Sequence, residues 1–139
     1  MTRLVCGDMV IDTSALVAIL LREPDADLFS QAIAEASVRL VSAVTRVELS
    51  FVVESRKRVA GPGDIVRMLR DGRIEVVAVT PEQADIAIQA FRRFGRGRHR
   101  AALNIGDCFS YALAKETDLP LLFKGDDFAQ TDIRAALMP

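Results

Sequence analysis

The stretch from Met9 to Leu20, MVIDTSALVAIL, begins with three apolar residues suited to a strand and meets a carboxylate at Asp12. It then passes through Thr13 and Ser14 into apolar positions with helical spacing. A strand that is apolar on both faces and leads straight into a helix is the unit of a parallel sheet covered on both sides. The alternation continues along the chain. Apolar, β-branched runs recur from Val38 to Val41, from Ile74 to Val79 and from Leu121 to Phe123. Between them lie SALVAILLREPDADLFSQAIAEA, AVTRVELSFVVESRKRVA and PEQADIAIQAFRRF, whose apolar residues recur every three or four positions.

Local signals divide these segments. Pro24 predicts a break in the first helical stretch and a fresh start after it. Gly61-Pro62-Gly63 reads as a turn followed by a capping-type Asp64, and Thr80-Pro81-Glu82 as a helix start. The expected architecture is α/β with three layers, α/β/α. Its central sheet is mostly parallel, has four or five strands, and lies in a single domain spanning residues 9–139. Residues 1–8, MTRLVCGD, precede the first strand and read as a short N-terminal extension.

Bulk properties narrow the function. With 139 residues, half of them hydrophobic, the chain can bury one real core but not two. A net charge of −1 gives no global sign of a nucleic-acid partner, so any basic patch must be local. Cys6 and Cys108 are far apart and form no metal-ligand or redox spacing, and no leader with an apolar core precedes the fold. Charges interrupt every apolar run before the ~18 to 20 residues needed to cross a bilayer. A soluble, cytoplasmic protein is expected, with no membrane association.

Four acids then stand out. Asp12, Glu48, Asp107 and Asp127 each close or interrupt a run that should be buried, in MVIDTSALVAIL, LVSAVTRVELSFVV, LNIGDCFSYALA and PLLFKGDDF. Ionised carboxylates rarely enter an interior without a cation or several donors, and lysine and arginine are scarce in these segments. In an open parallel sheet, functional groups gather beyond the carboxyl ends of the strands, which is where these acids fall. Convergence there would require a divalent metal.

Bland readings compete at each position. Asp12 on its own is a common N-cap, with Thr13 and Ser14 as capping hydroxyls that can also help place a water. Glu48 resists that treatment, because Val47 and Leu49 flank it and Val44, Phe51 and Val52 lie a turn away; a solvated helix margin near Arg46 or Arg56 is the alternative. Asp107 falls three residues after Asn104, a capping pattern that also favours an ionised carboxylate at a helix N-terminus. Asp126 and Asp127 follow one strand through Gly125. Asp127 is favoured to face inward, because its neighbour Phe128 should anchor in the core.

Carboxylates without histidine or cysteine partners point away from zinc and toward Mg²⁺ or Mn²⁺, ions suited to phosphodiester hydrolysis. Such a substrate calls for positive charge. FRRFGRGRHRAALNIGD supplies it just before Asp107, with Arg96, Arg98, His99 and Arg100 on a glycine-rich turn that could grip phosphates, where its basic neighbours lead His99 to be expected exposed. A solvated loop is the plain alternative. The second basic stretch, SRKRVAG from Ser55 to Gly61, is explained by a helix C-terminus. Cys108 reads as a small buried hydrophobe, Ser14 and Ser110 lack the partners of a nucleophilic triad, and no phosphate-cradling GxxxxGK loop occurs.

Taken together, VIDTSALVAIL, SAVTRVELSFVVE, LNIGDCFSYALA and LPLLFKGDDFAQTDI resemble the PIN-domain ribonucleases, and more closely the VapC toxins of bacterial toxin–antitoxin pairs. The resemblance runs from Met9 onward. It implies a PIN-like fold and Mg²⁺-dependent (or Mn²⁺-dependent) endonucleolytic cleavage of RNA that inhibits translation. Asp12 and Asp107 would be the principal metal ligands and Glu48 and Asp127 the secondary ones, with Asp126 as the alternative to Asp127 and Thr13 or Ser14 in support. It also implies a VapB-like antitoxin that obstructs the acidic crevice, and a homodimer, in a heterotetramer or larger assembly with the antitoxin. Two other classes remain to be separated: another Mg²⁺-dependent phosphodiesterase, acting on DNA, and a non-catalytic module whose acids hold a basic partner.

Overall fold

The computed structural model describes residues 3–4, 7–56 and 60–138. The first strand of the main sheet, β2 (Met9–Ile11), leads into α1 (Thr13–Leu20) with Asp12 as the only residue between them. Pro24 does divide the first helical stretch: α1 stops at Leu20, and α2 runs over Ala26–Glu35. Next come β3 (Arg39–Ser42) and, without a loop, α3 (Ala43–Ser55), then α4 (Pro62–Asp71) and β4 (Glu75–Val77). The chain finishes with α5 (Pro81–Phe94), α6 (Ile105–Thr117), β5 (Leu121–Leu122), a 3-10 turn (Phe128–Gln130) and β6 (Leu137–Met138). In α4, Pro62 occupies the first turn and Asp64 accepts the Gly61 N–H at 2.7 Å, so the Gly-Pro-Gly turn is itself a helix start.

Four strands pair in the order β4-β3-β2-β5, all parallel, as the two-sided apolar runs predict. Val10 lies opposite Leu40 on one side and Leu121 on the other. Side chains alternate between the faces of a strand, and the core divides accordingly. Met9 and Ile11 pack with α1, α2, Leu49 and Val53 of α3 and Ile65 of α4, while Val10 packs with α5 and α6. These are the three layers. The central β2 is fully covered, whereas the edge strand β4 leaves Val76 in solvent and is shorter than the apolar run that foretold it.

Arg39 ties the two α-helical ends beneath this sheet. Its guanidinium donates to Ala34 O and Ala36 O at the end of α2 and to Gly72 O (2.6 Å) at the end of α4. Carbonyls at a helix C-terminus carry partial negative charge, so a half-buried fork of donors suits them. Within the segment read as an extension, β1 (Arg3–Leu4) pairs antiparallel with β6. Cys6, and Lys57–Val59 of the second basic stretch, lie outside the described residues. Among the described residues no helix is long and apolar enough to cross a membrane.

Candidate metal centre

Parallel pairing sets the carboxyl ends of β2, β3 and β5 side by side, and the acids follow from where those ends lead. The Asp12 N–H donates to Leu122 O, the last bond of the β2–β5 ladder, so the side chain emerges where the strand becomes α1. Its Oδ2 accepts the Ser14 N–H at 3.0 Å and the Ser14 hydroxyl at 2.7 Å. Asp12 is 2 % exposed, and its Oδ1 has no hydrogen-bond partner among the described residues. A buried carboxylate oxygen without a donor is costly, and it is a place for a cation.

Glu48 arrives from the neighbouring strand. Ser42 ends β3 and caps α3 by accepting the Val44 N–H, so the helix begins at once and carries Glu48 over the same edge. Thr13 donates to Glu48 Oε1 at 2.6 Å, and its hydroxyl lies 3.3 Å from that of the buried Thr45. Burial holds the Glu48 carboxyl above its ordinary pKa; the Thr13 bond opposes this and the Asp12 charge adds to it. The buried side of α3 is Thr45, Leu49 and Val53, while Val47 and Phe51, the apolar neighbours of Glu48 in sequence, are 51 % and 65 % exposed.

Asp107 comes from the opposite layer. Asn104 Oδ1 accepts the Asp107 N–H at 2.9 Å and Asp107 Oδ2 accepts the Asn104 N–H at 3.0 Å, the reciprocal cap anticipated from the sequence. Even so, its pKa is pushed up to about 7. Burial is the main cause, only partly offset by the Asn104 N–H, and the charges of Asp12, Asp127 and Glu48 raise it further. The other three acids therefore lie near enough for their charges to act on Asp107. Repulsion of this kind reaches beyond ligand distance, and among the described residues no three acidic, histidine or cysteine side chains surround a common point.

The fourth acid stands on a turn. Gly125 has φ 98°, a left-handed conformation that suits glycine, and the chain then enters the 3-10 turn with Phe128 buried, as its anchoring role requires. Asp126 and Asp127 are both exposed, so Phe128 anchors the turn without carrying Asp127 inward as expected; Asp127 is among the charges acting on Asp107, whereas the Asp126 carbonyl accepts from Gln130 Nε2. The nearby cation is already committed, since Lys124 Nζ pairs with Glu23 (2.9 Å) and Asp25 (3.1 Å). Its backbone N–H donates to the Ser14 hydroxyl at 2.9 Å. Ser14 therefore links this loop to Asp12, and Thr13 and Ser14 both orient carboxylates.

The basic residues occupy a separate turn beside the cluster. A bridge between Gly95 and Leu103 closes it, immediately before Asn104. Arg96, Arg98 and Arg100 are exposed, and among the described residues none of them forms an ion pair. Arg98 lies over the Phe91 ring at 5.4 Å. His99, expected to be exposed, is half-buried: it packs edge-on against Phe94, and its Nδ1 accepts the Ala101 N–H at 3.0 Å. It shapes the turn. Cys108 is a buried hydrophobe, with its pKa pushed up to about 11 by burial and by Asp107.

One site residue was not visible in the sequence reading. Gly106 precedes Asp107 in α6, and a Cβ there would collide with the Glu48 carboxylate. The available signal was a glycine in the first turn of a helix where alanine is the better former. All four acids offer only oxygen, the donor type of hard cations such as Mg²⁺ and Mn²⁺, and the unpaired Asp12 Oδ1 gives such an ion a reason to bind.

Comparison with known proteins agrees with the geometry. The PIN domain family matches residues 9–134. A relative named Ribonuclease VapC from Mycolicibacterium smegmatis is 53 % identical over 127 residues, covering 91 % of this chain and 98 % of that protein. Among solved structures, VapC20 of Mycobacterium tuberculosis, described as a Sarcin-Ricin loop cleaving toxin, aligns with a TM-score of 0.74 at 14 % identity over 91 % of this chain and 96 % of its own. A toxin–antitoxin complex from Klebsiella pneumoniae aligns with a TM-score of 0.67 at 16 % identity, covering 90 % and 93 %. At those identities the structures speak for the fold alone. With the family match spanning most of its length and a named relative at half identity, the chain belongs to the PIN-domain family, in its VapC branch.

Proposed function

We propose that this protein is a VapC-type endoribonuclease toxin whose acid cluster binds Mg²⁺ or Mn²⁺. The observation that carries the reading is Asp12: a carboxylate 2 % exposed, with one oxygen unpartnered, beside three further carboxylates whose charges meet at Asp107. An N-cap role accounts for Asp12 Oδ2 and leaves the buried Oδ1 without a partner among the described residues. Asp12 and Asp107 are the principal ligands, with Glu48 and Asp127 completing the set, and Asp127 is preferred to Asp126 because its charge acts on Asp107. When bound, the cation supplies a lowered water pKa and a charge to balance the phosphate.

The chain's own residues do the rest. Thr13 holds Glu48 by one oxygen, Ser14 holds Asp12 and pins the Lys124–Asp127 loop, and Asn104 fixes Asp107 on α6. Arg96, Arg98 and Arg100 hold the RNA backbone, with His99 keeping their turn in shape. The exposed Val47, Phe51, Ile88, Phe91 and Ile105 favour a homodimer, since one monomer has little use for so much apolar surface. A VapB-like antitoxin is the expected partner, in keeping with the toxin–antitoxin complex that shares the fold.

The test is digestion of defined RNA and single-stranded DNA with Mg²⁺, Mn²⁺ or EDTA. Metal-dependent cleavage of RNA alone is the expected result. Cleavage of DNA alone would transfer the site to another phosphodiesterase. No cleavage of either, combined with undiminished growth toxicity of Asp107→Asn, would favour the binding module.

A further inference from the structure

Gly106 is buried in the first turn of α6, and its backbone is right-handed helical, so no left-handed φ calls for a glycine. Glycine in a helix costs stability relative to alanine, because it has more backbone freedom to lose. Its surroundings supply the reason. A Cβ on Gly106 would overlap Oε1, Oε2 and Cδ of Glu48, on the helix packed across from it. The other side of the same carboxylate is held by Thr13 at 2.6 Å.

Building on the metal-centre reading above, we infer that Gly106 is a positioning residue, whose missing side chain is the slot that lets the Glu48 carboxylate reach the cluster beside Asp107. The collision is with the far end of a flexible side chain and not with backbone. A methyl group at this position therefore displaces the carboxylate and leaves the helix intact. Glu48 would lose Thr13 and its place near Asp12, while α6 gains a better helix former. The consequence falls on cation binding more than on folding.

Gly106→Ala and Glu48→Ala, separately and together, test this with two readouts. Titration with Mn²⁺ at pH 7.5 should show Gly106→Ala binding on the order of 10- to 100-fold more weakly than wild type, the range for loss of a group that orients a ligand. The double variant should bind no worse than Glu48→Ala. In EDTA, thermal unfolding should show Gly106→Ala raising Tm more in the Glu48→Ala background, where the slot is empty, than in wild type. Wild-type Mn²⁺ affinity in Gly106→Ala, or the same Tm change in both backgrounds, would overturn the inference. If wild type binds no Mn²⁺, the metal-centre reading fails and the unfolding cycle alone decides the Gly106–Glu48 contact. Should Gly106→Ala fail to fold, rescue by adding Glu48→Ala supports the slot, and failure of the double variant to fold refutes it.

Discussion

Asp107 and Asp132 both bear on α6, the first at its opening turn and the second against Tyr111 and Lys115 further along. Asp132 also loses solvation by burial, yet it is held below its ordinary pKa. Lys115 Nζ lies 2.8 Å away, the Tyr111 hydroxyl donates at 2.7 Å, and Arg93 approaches to 3.5 Å. Asp107 has one backbone N–H and three carboxylates for company, and its pKa rises to about 7. The fold supplies cations where a carboxylate is structural, as at Asp132 and again at Glu23 and Asp25 with Lys124. Among the described residues no lysine or arginine pairs with Asp12, Glu48, Asp107 or Asp127. That contrast separates a site from a surface network more cleanly than the number of acids does.

The largest predicted effect follows from removing one charge on each side. Asp107→Asn should reduce RNA cleavage to below ~1 % of wild type, because on the proposed reading it removes a principal cation ligand while its cap to Asn104 survives. Asp132→Ala should leave cleavage and Mn²⁺ affinity unchanged, as measured in the same assays. On the loop, Asp127→Asn should lower cleavage roughly tenfold, whereas Asp126→Asn should change it little. Equal effects at the two positions would break the assignment of Asp127.

Stability should show the same division with opposite signs. Asp107 titrates near 3.8 when unfolded and near 7 in the folded protein, so folding favours its protonated form. In EDTA, stability should fall as pH rises from about 4 to about 7 and then level off. Asp107→Asn should flatten that slope and raise Tm at neutral pH. Free Mn²⁺ at 100 times its Kd should restore about 2.7 kcal/mol to wild type only, read as a shift in the unfolding midpoint. Asp132→Ala should instead lower stability by about 1 to 2 kcal/mol, through loss of the Tyr111 and Lys115 contacts. The smallest effect belongs to the basic turn: Arg96→Ala should weaken RNA binding modestly and reduce the slope of log K against log salt by about 0.7, as for one lost phosphate contact.

Much of this was legible in the sequence because the signals are local. Two-sided apolar runs gave parallel strands, Pro24 gave the helix break, and the Asn104–Asp107 spacing gave the cap that now holds Asp107. Placement of Asp12 at the carboxyl end of a parallel strand was inferable because functional groups gather at that edge of such a sheet. What escaped depends on contacts between distant segments. Gly106 matters only because α3 brings Glu48 against it, and Ser14 holds the Lys124 loop across 110 positions of sequence. The half-buried His99 was misjudged because basic neighbours suggest exposure, whereas Phe94 offers its ring an apolar surface. The exposure of Val47 and Phe51 was not legible because periodicity finds an apolar stripe without saying which side of α3 meets the core.

Titration calorimetry with Mn²⁺ at pH 7, run in buffers of different ionisation enthalpy, tests the central claim most directly. The four carboxylates should bind the ion saturably and release about half a proton per ion, since Asp107 is then near its midpoint. Asp107→Asn should bind far more weakly and release none. Failure of wild type to bind, or indistinguishable binding and proton release in Asp107→Asn, would contradict the account.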